Sequence, residues 1–226
     1  MRALIASGAG RYSDPWHPFW KTSPLIGQVL SEGGFEVAID DDVDRAMMHL
    51  SGIDLLVVNA GDPWRSGDGR LAADAAPPAA LAEALRGGMG VLAFHSSLAS
   101  LRDYPAWAAA IGGMWIPSVS WHPPLAPFQI RGLGLPSGED IDDFEVTDER
   151  YASLQFIGAS QVVADHQVSG RREPTAWVRH YGASRIAVNT LGHDERSYDS
   201  EGHRKLIKRL AGWVTATGGR TSESSS

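Results

Sequence analysis

Two segments of the sequence, DLLVVNAG at residues 54–61 and GVLAF at residues 90–94, are almost wholly apolar. A strand without alternating polar residues has both faces covered, which is typical of central strands in a parallel sheet with helices on each side. Helical patterns stand between such segments, among them PAALAEALRGG, which leads directly into GVLAF. The alternation predicts an α/β fold with a doubly wound, mostly parallel sheet.

The remaining elements of the first half follow the same alternation. RALIAS is predicted as the first strand, and SPLIGQVLSEGGF as a helix with Ser23 as N-cap, Pro24 as first helical residue and Gly33 as stop signal. FEVAID and VDRAMMHLSG are the next strand and helix. At the other end of the chain, SEGHRKLIKRLAGWV has the apolar stripe of an amphipathic helix.

The second half contains a small β-rich excursion. Between residues 115 and 175 prolines cluster and short strands such as FEVTD and QVVADHQV replace the helical patterns. TAWVRHYG and RIAVNTLG then predict a hairpin with its turn at GAS. We expect residues 1–217 to form a single α/β domain and residues 218–226 to be a disordered tail.

Composition excludes several classes of function. The net charge is −7 and the lysines and arginines are dispersed, which argues against nucleic acid or an anionic membrane as a partner. No cysteine is present, so disulfides, thiolate chemistry and cysteine-bound zinc are excluded. No apolar window is long enough to span a membrane, and the N-terminus lacks a signal-peptide pattern. We therefore expect a cytoplasmic protein with a small-molecule ligand.

Candidate functional residues follow the predicted strands, because ligands of open α/β sheets bind beyond the carboxyl ends of the strands. Those residues include Tyr12, His17, Asp62, Trp64, His95, Ser96 and His193. Aromatic faces stack on the C–H surfaces of sugars, while carboxylates and imidazoles bond hydroxyl groups. The set therefore suits a carbohydrate ligand.

His95 ends a strand where several α/β enzyme families present a nucleophile on a sharp turn. Such a turn often needs a positive φ, which His tolerates better than most residues with a Cβ. The imidazole could serve as a general base, as a metal ligand, or as a buried group bonded to backbone. A nucleophilic Ser96 is disfavoured, because AFHSSLA lacks the flanking glycines of the G-x-S-x-G elbow.

A divalent metal such as zinc or manganese is chemically compatible with four residues of the chain. The metal candidates are His95, His122, Glu149 and His193. None of them stands at a diagnostic spacing such as H-E-x-x-H, so the sequence leaves the metal open.

Three blocks resemble the trehalose-utilisation (ThuA-like) family. The central block of that family is similar to the segments VLAFHSSL, YPAWAAAIGGMW and SWHP of this chain. Its Asp-Glu-x-Tyr segment is similar to FEVTDERYASL. EPTAWVRHYGASRIAVNTLGHDERSYDSEGHRKLIKRLAGWV resembles its C-terminal block, which includes Leu-Gly-His-Asp. The resemblance covers most of residues 1–216 and implies the flavodoxin-like, class I glutamine amidotransferase-like fold. His95 occupies the cysteine position of that superfamily, so glutamine hydrolysis through a thioester is excluded.

The resemblance implies carbohydrate catabolism, with a sugar or keto-sugar as substrate and a dehydrogenase as a pathway partner. The expected catalytic residues are His95, His193, Asp194 and Glu195, with Asp194 or Glu195 orienting His193. The expected substrate-binding residues are Tyr12, His17, Asp62, Trp64, Ser96, His122, Glu149, Tyr151 and Trp177.

Two functional interpretations remain. The first is a lyase, isomerase or hydrolase that uses histidine and carboxylate acid–base chemistry on a carbohydrate, with or without a metal. The second is a non-catalytic sugar-binding or regulatory protein on the same fold. Clustered ionisable groups favour the enzyme. Trp115, Ile116 and Val119 are candidates for a homo-oligomer interface or for a cap over the pocket.

Overall fold

The structure is a computed structural model that describes residues 1–62 and 74–216. The strands are β1 (Arg2–Ser7), β2 (Glu36–Asp40), β3 (Leu55–Asn59), β4 (Gly90–Phe94), β5 (Gly113–Met114), β6 (Ala126–Gly132), β7 (Phe144–Asp148), β8 (Gln155–Phe156), β9 (Gln161–Val168), β10 (Arg171–Tyr181) and β11 (Ser184–Asn189). The helices are α1 (Phe19–Glu32), α2 (Val43–Met48), α3 (Ala76–Arg86), α4 (Trp107–Ile111) and α5 (Glu201–Thr215). The predicted tail at 218–226 lies outside the described residues.

Nine of these strands form one sheet in the order β2-β1-β3-β4-β11-β10-β9-β6-β7. The first five run parallel, which confirms the predicted doubly wound α/β fold. The next four are antiparallel, so the β-rich excursion continues the main sheet. β5 and β8 form a separate two-stranded ladder.

The apolar runs are explained by two cores, one on each face of the sheet. Leu55 and Val57 of β3 belong to the core that includes residues of α1 and α5. Leu56 and Val58 belong to the core that includes residues of α2, α3 and α4. Since both faces of β3 are buried, every position of this strand has to be apolar or internally hydrogen-bonded.

Helix α1 begins at Phe19 rather than at Pro24, so the predicted start is wrong. Ser23 does not cap the helix; its hydroxyl donates to Ser7 Oγ at 2.7 Å and accepts from Asn59 Nδ2 at 2.9 Å. Pro24 lies inside the helix on its exposed side, where the hydrogen bond that a proline cannot make costs least. The serine signal therefore reflects buried polar contacts between α1 and two strands.

The predicted hairpin is confirmed. β10 and β11 pair up to Tyr181 and Ser184, with Gly182 at φ +58° in the turn between them. Within residues 1–62 and 74–216, none of the helices has the length and apolar composition of a membrane-spanning segment.

Candidate functional site

Five strands bring polar side chains to one edge of the sheet. β1, β3, β4 and β11 are parallel, and β7 has the same direction because four antiparallel pairings separate it from β11. Their carboxyl ends lead to five residues at this edge: His17, Asp62, His95, Glu149 and His193. The edge is the position at which α/β sheets bind ligands.

His95 follows β4 with φ +39°, which confirms the positive φ expected at this turn. Its side chain is only 1% exposed, so it lies beneath the floor of the cavity. Nδ1 is 2.7 Å from the Thr190 carbonyl oxygen, which only accepts, so Nδ1 carries a proton. Nε2 is 2.9 Å from the Tyr151 hydroxyl. Both ring nitrogens of His95 are thus in contact with other groups of the protein.

The buried carboxylate of Asp148, the last residue of β7, ties two site segments together. It accepts backbone hydrogen bonds from Glu149 at 2.7 Å, Gly192 at 2.7 Å and His193 at 3.3 Å. Gly192 has φ +118°, and a Cβ there would lie 2.8 Å from the Tyr198 hydroxyl, so the turn before His193 requires glycine. The family-like Leu-Gly-His-Asp segment is therefore fixed in place by Asp148.

Glu149 is the centre of the site. Its Oε2 lies 3.4 Å from His95 Nε2 and 3.4 Å from His193 Nδ1, and its Oε1 lies 3.4 Å from His122 Nδ1. Burial opposes ionisation of this carboxyl, but its contacts with His193 and His95 outweigh burial and lower its pKa. Glu149 is therefore a carboxylate at neutral pH, which suits a metal ligand or a charged partner that orients the imidazoles.

The histidines beside Glu149 influence one another. Burial of His95 opposes its protonation, but Glu149 and Asp148 outweigh burial and raise its pKa. Burial lowers the pKa of His17, and the charges of His95 and His193 lower it further. The Asp14 carboxylate raises this pKa, but by less than the other effects lower it. A proton on His95 therefore disfavours a proton on His17.

His17 enters the site from the loop after β1. Its Nδ1 lies 2.7 and 2.8 Å from the two carboxylate oxygens of Asp14. Asp14 Oδ1 also accepts the backbone N–H groups of Trp16 and His17, at 2.9 Å each. The ring is therefore held with Nε2 free of hydrogen bonds, and that atom is buried without a partner among the described residues.

His17, Glu149 and His193 line a cavity of about 630 Å³. Its wall residues include Trp16, Trp115 and Tyr151, and Trp115 packs on Tyr151 with ring centroids 4.6 Å apart. The polar lining comprises Asp14, His17, Asp62, Ser96, His122, Glu149 and His193. The cavity thus combines aromatic faces with hydrogen-bonding groups, as a carbohydrate site does.

Two lining residues are engaged with the protein. The Ser96 hydroxyl donates to the Ala60 carbonyl at 3.0 Å, a geometry unlike that of a nucleophilic serine. Asp62 forms an ion pair of 3.1 Å with Arg102.

Besides the buried His95, four predicted residues do not line this cavity. Tyr12 is buried and bonds Asp44 at 3.0 Å, and Trp177 is buried with Nε1 donating to the Ile111 carbonyl at 2.8 Å. Asp194 pairs with Arg196 and Glu195 with Lys21, so neither carboxylate orients His193. These four residues were predicted because they are aromatic or acidic and stand near strand ends. Their contacts with other parts of the protein keep them out of the cavity. Trp64 lies outside the described residues.

Sequence reasoning missed Asp14 and left the position of Trp115 open. Asp14 stands three residues before His17, and this short spacing was the available signal for a carboxylate–imidazole pair. Trp115, assigned above to an interface or a cap, lines the cavity beside Tyr151.

The four groups best placed to hold a metal are His17, His95, Glu149 and His193, whose ligand atoms all lie within 4.8 Å of one another. His122 was predicted as a metal candidate, but it lies outside this group, and His17 takes its place.

Comparisons with known proteins identify the family of the chain. A ThuA-like protein from Parabacteroides merdae ATCC 43184 is 18% identical over 95% of this chain and 90% of its own, with a TM-score of 0.73. One from Bacteroides uniformis ATCC 8492 is 14% identical over 93% and 90%, with a TM-score of 0.63. A cytoplasmic protein from Salmonella typhimurium LT2 is 11% identical over 95% and 99%, with a TM-score of 0.60.

No curated protein sequence matches the chain. The structural neighbours above support the fold alone at these identities. The model of the ThuA family, described as trehalose utilisation, matches residues 2–214. The chain therefore belongs to the ThuA family.

Proposed function

We propose that the protein is an enzyme of carbohydrate catabolism that acts on a sugar or keto-sugar in the histidine-lined cavity by acid–base chemistry. One observation carries the proposal: the Glu149 carboxylate lies 3.4 Å from His95, His122 and His193 at the base of a cavity with aromatic walls. Trehalose utilisation, the description of the family, supports a sugar as the substrate.

Each part of the cavity has a role in this proposal. Trp115 and Trp16 stack on the ring of the sugar, and the polar groups between them bond its hydroxyls. Glu149 is an ionised carboxylate that holds the imidazoles around it, and His193 and His122 beside it are the groups that exchange protons at the cavity. His95 is buried and positions Glu149 and Tyr151 from below.

A cytoplasmic location fits this role. The Salmonella typhimurium neighbour is described as a cytoplasmic protein, which supports the same location here. A dehydrogenase that produces the keto-sugar is the partner that such a reaction requires.

The test is turnover of a panel of mono- and disaccharides and their keto derivatives, followed by proton NMR, with a Glu149→Gln variant. We expect the variant to lower kcat by about 10²–10⁴-fold, the usual contribution of positioned acid–base groups, because the imidazoles lose the carboxylate that holds them. Glu145→Gln is the matched control, because Glu145 lies on β7, the strand that leads into Glu149, but is exposed and bonds Gln129. Saturable sugar binding without turnover by the wild type would favour the non-catalytic binding protein.

A further inference from the structure

We propose that His17, His95, His193 and Glu149 bind a divalent transition-metal cation, with zinc as the best match. Each residue offers one ligand atom, and the four atoms lie within 4.8 Å of one another. Three imidazoles and one carboxylate form a donor set that suits zinc and other imidazole-preferring cations better than magnesium or calcium. The site shares the cavity of the proposed function, and in this respect the inference rests on it.

The distances inside the group match a metal site better than direct hydrogen bonds. Glu149 Oε2 is 3.4 Å from both His95 Nε2 and His193 Nδ1, which is longer than a hydrogen bond between charged groups. Ligand atoms on a tetrahedral zinc with bonds of about 2.0–2.1 Å lie about 3.4 Å apart. Two of the separations therefore already have the spacing that a shared cation imposes.

Two of the imidazoles have the Nδ1 partner that is typical of metal-binding histidines. Nδ1 of His17 bonds Asp14, and Nδ1 of His95 donates to the Thr190 carbonyl. A histidine that donates one ring N–H to a carboxylate or a carbonyl presents the lone pair of the other nitrogen, and metal-binding histidines are held in this way. Nε2 would consequently be the ligand atom of both rings; that of His17 is buried without a partner among the described residues, and that of His95 is 2.9 Å from the Tyr151 hydroxyl.

The three rings converge without stacking. His17 lies edge-on to His95 and to His193, with ring centroids 4.9 and 4.8 Å apart and interplanar angles of 68° and 73°. His95 and His193 are 5.4 Å apart at 74°. Imidazole lone pairs lie in the plane of the ring, so edge-on rings can direct them to a common point, whereas stacked rings cannot.

Charge in and around the group also favours a cation. The carboxylates of Asp14, Asp148 and Glu149 lie in the group or directly behind it. Within residues 1–62 and 74–216, no lysine or arginine forms an ion pair with any of the three. A dication would be stabilised by these carboxylates and would lower the pKa of a bound water toward 7. The Tyr151 hydroxyl would have to release His95 Nε2.

The test measures the metal without any sugar. The full chain is stripped with a chelator, dialysed against zinc, manganese or magnesium, and analysed for bound metal by mass spectrometry and for affinity by calorimetry. The variants are His17→Ala and His193→Ala, with His122→Ala as matched control, because His122 lies beside Glu149 but outside the ligand group. Cobalt replaces zinc in a parallel sample, since its visible spectrum reports nitrogen coordination in folded protein.

We expect one equivalent of zinc in the wild type and in His122→Ala, and none in the two ligand variants. Asp14→Asn keeps all four ligands and is expected to weaken zinc binding by about 10–100-fold, the usual effect of an outer-shell partner. Equal zinc content in the wild type and the ligand variants, or no stoichiometric metal in the wild type, would overturn the proposal. A wild-type cobalt spectrum that is unchanged in His17→Ala would do the same.

The two proposals fail separately. Zinc bound by these residues without turnover of any sugar would refute the enzymatic function and keep the metal site. Turnover by chelator-treated protein that binds no zinc would refute the metal site and keep the enzymatic function.

Discussion

Asp148 Oδ2 accepts the backbone N–H of Gly192 at 2.7 Å, across 44 residues of sequence. This bond joins the end of β7, at one edge of the sheet, to the turn after β11 near its middle. Such a contact requires the antiparallel half of the sheet to curl back, and β7 packs against α5 accordingly. The relative position of Glu149 and His193 depends on this bond.

Replacing Asp148 by asparagine should therefore damage both stability and the site. An amide has one oxygen acceptor, so its NH₂ group would face a backbone donor, and we expect a loss of about 2–3 kcal/mol in the free energy of unfolding. Urea denaturation measures it. Asp143→Asn is the control, because Asp143 is exposed and accepts a single backbone N–H, from Gly132. Equal stability of the two variants would contradict the role given to Asp148.

The backbone at His95 can be separated from its ring by substitution. His95→Gly and His95→Ala both remove the imidazole, but only glycine adopts φ +39° without strain. We expect the alanine variant to be less stable than the glycine variant by about 1 kcal/mol. Urea denaturation of the pair decides the matter. An alanine variant as stable as the glycine variant would mean that the turn relaxes.

The aromatic wall can be tested through ligand affinity. Trp115→Ala should weaken binding of the sugar by up to about tenfold, since an aromatic stacking contact contributes about 0.5–1.5 kcal/mol. Calorimetry with the best sugar of the panel measures the dissociation constant. Trp20→Ala serves as the control, because Trp20 is 74% exposed and lies outside the cavity. If both variants bind equally well, stacking on Trp115 does not contribute.

His166 predicts a pH-dependent stability that is independent of the site. Its ring is buried against Thr175 Oγ1 at 2.8 Å. Burial, reinforced by the charge of Arg150, lowers its pKa from 6.5 to about 4. The unfolded chain therefore binds a proton more readily, so stability is complete above pH 6.5 and falls as the pH drops toward 4, by up to about 3 kcal/mol.

The measurement is urea denaturation between pH 7.5 and 4.5 for the wild type and for His166→Gln. The variant lacks the titrating ring, so its loss of stability on acidification should be smaller by that amount. Identical pH profiles for the two proteins would contradict the assignment to His166.

Local patterns in the sequence were sufficient to predict the helices and strands and the turn at His95. The apolar runs of β3 and β4 identify strands buried on both faces, because periodicity and burial are properties of short segments. The glycine of the β10–β11 hairpin and the positive φ of His95 are equally local. The beginning of α1 could not be predicted in this way, because the Ser23 side chain bonds Ser7 and Asn59, which lie in two strands.

The composition of the site was decided by tertiary structure. Tyr12 and Trp177 resemble sugar-binding aromatics in the sequence, yet the Asp44 carboxylate and the Ile111 carbonyl hold their polar atoms in the interior. His17, His95 and His193 come from three separate segments of the chain. Their spacing in the sequence does not indicate that their side chains lie together. Strand order and curl depend on pairings between distant residues, whereas a sequence pattern reports only neighbours. The sequence alone thus determined the type of fold and the edge that carries the site, and tertiary packing determined which side chains meet there.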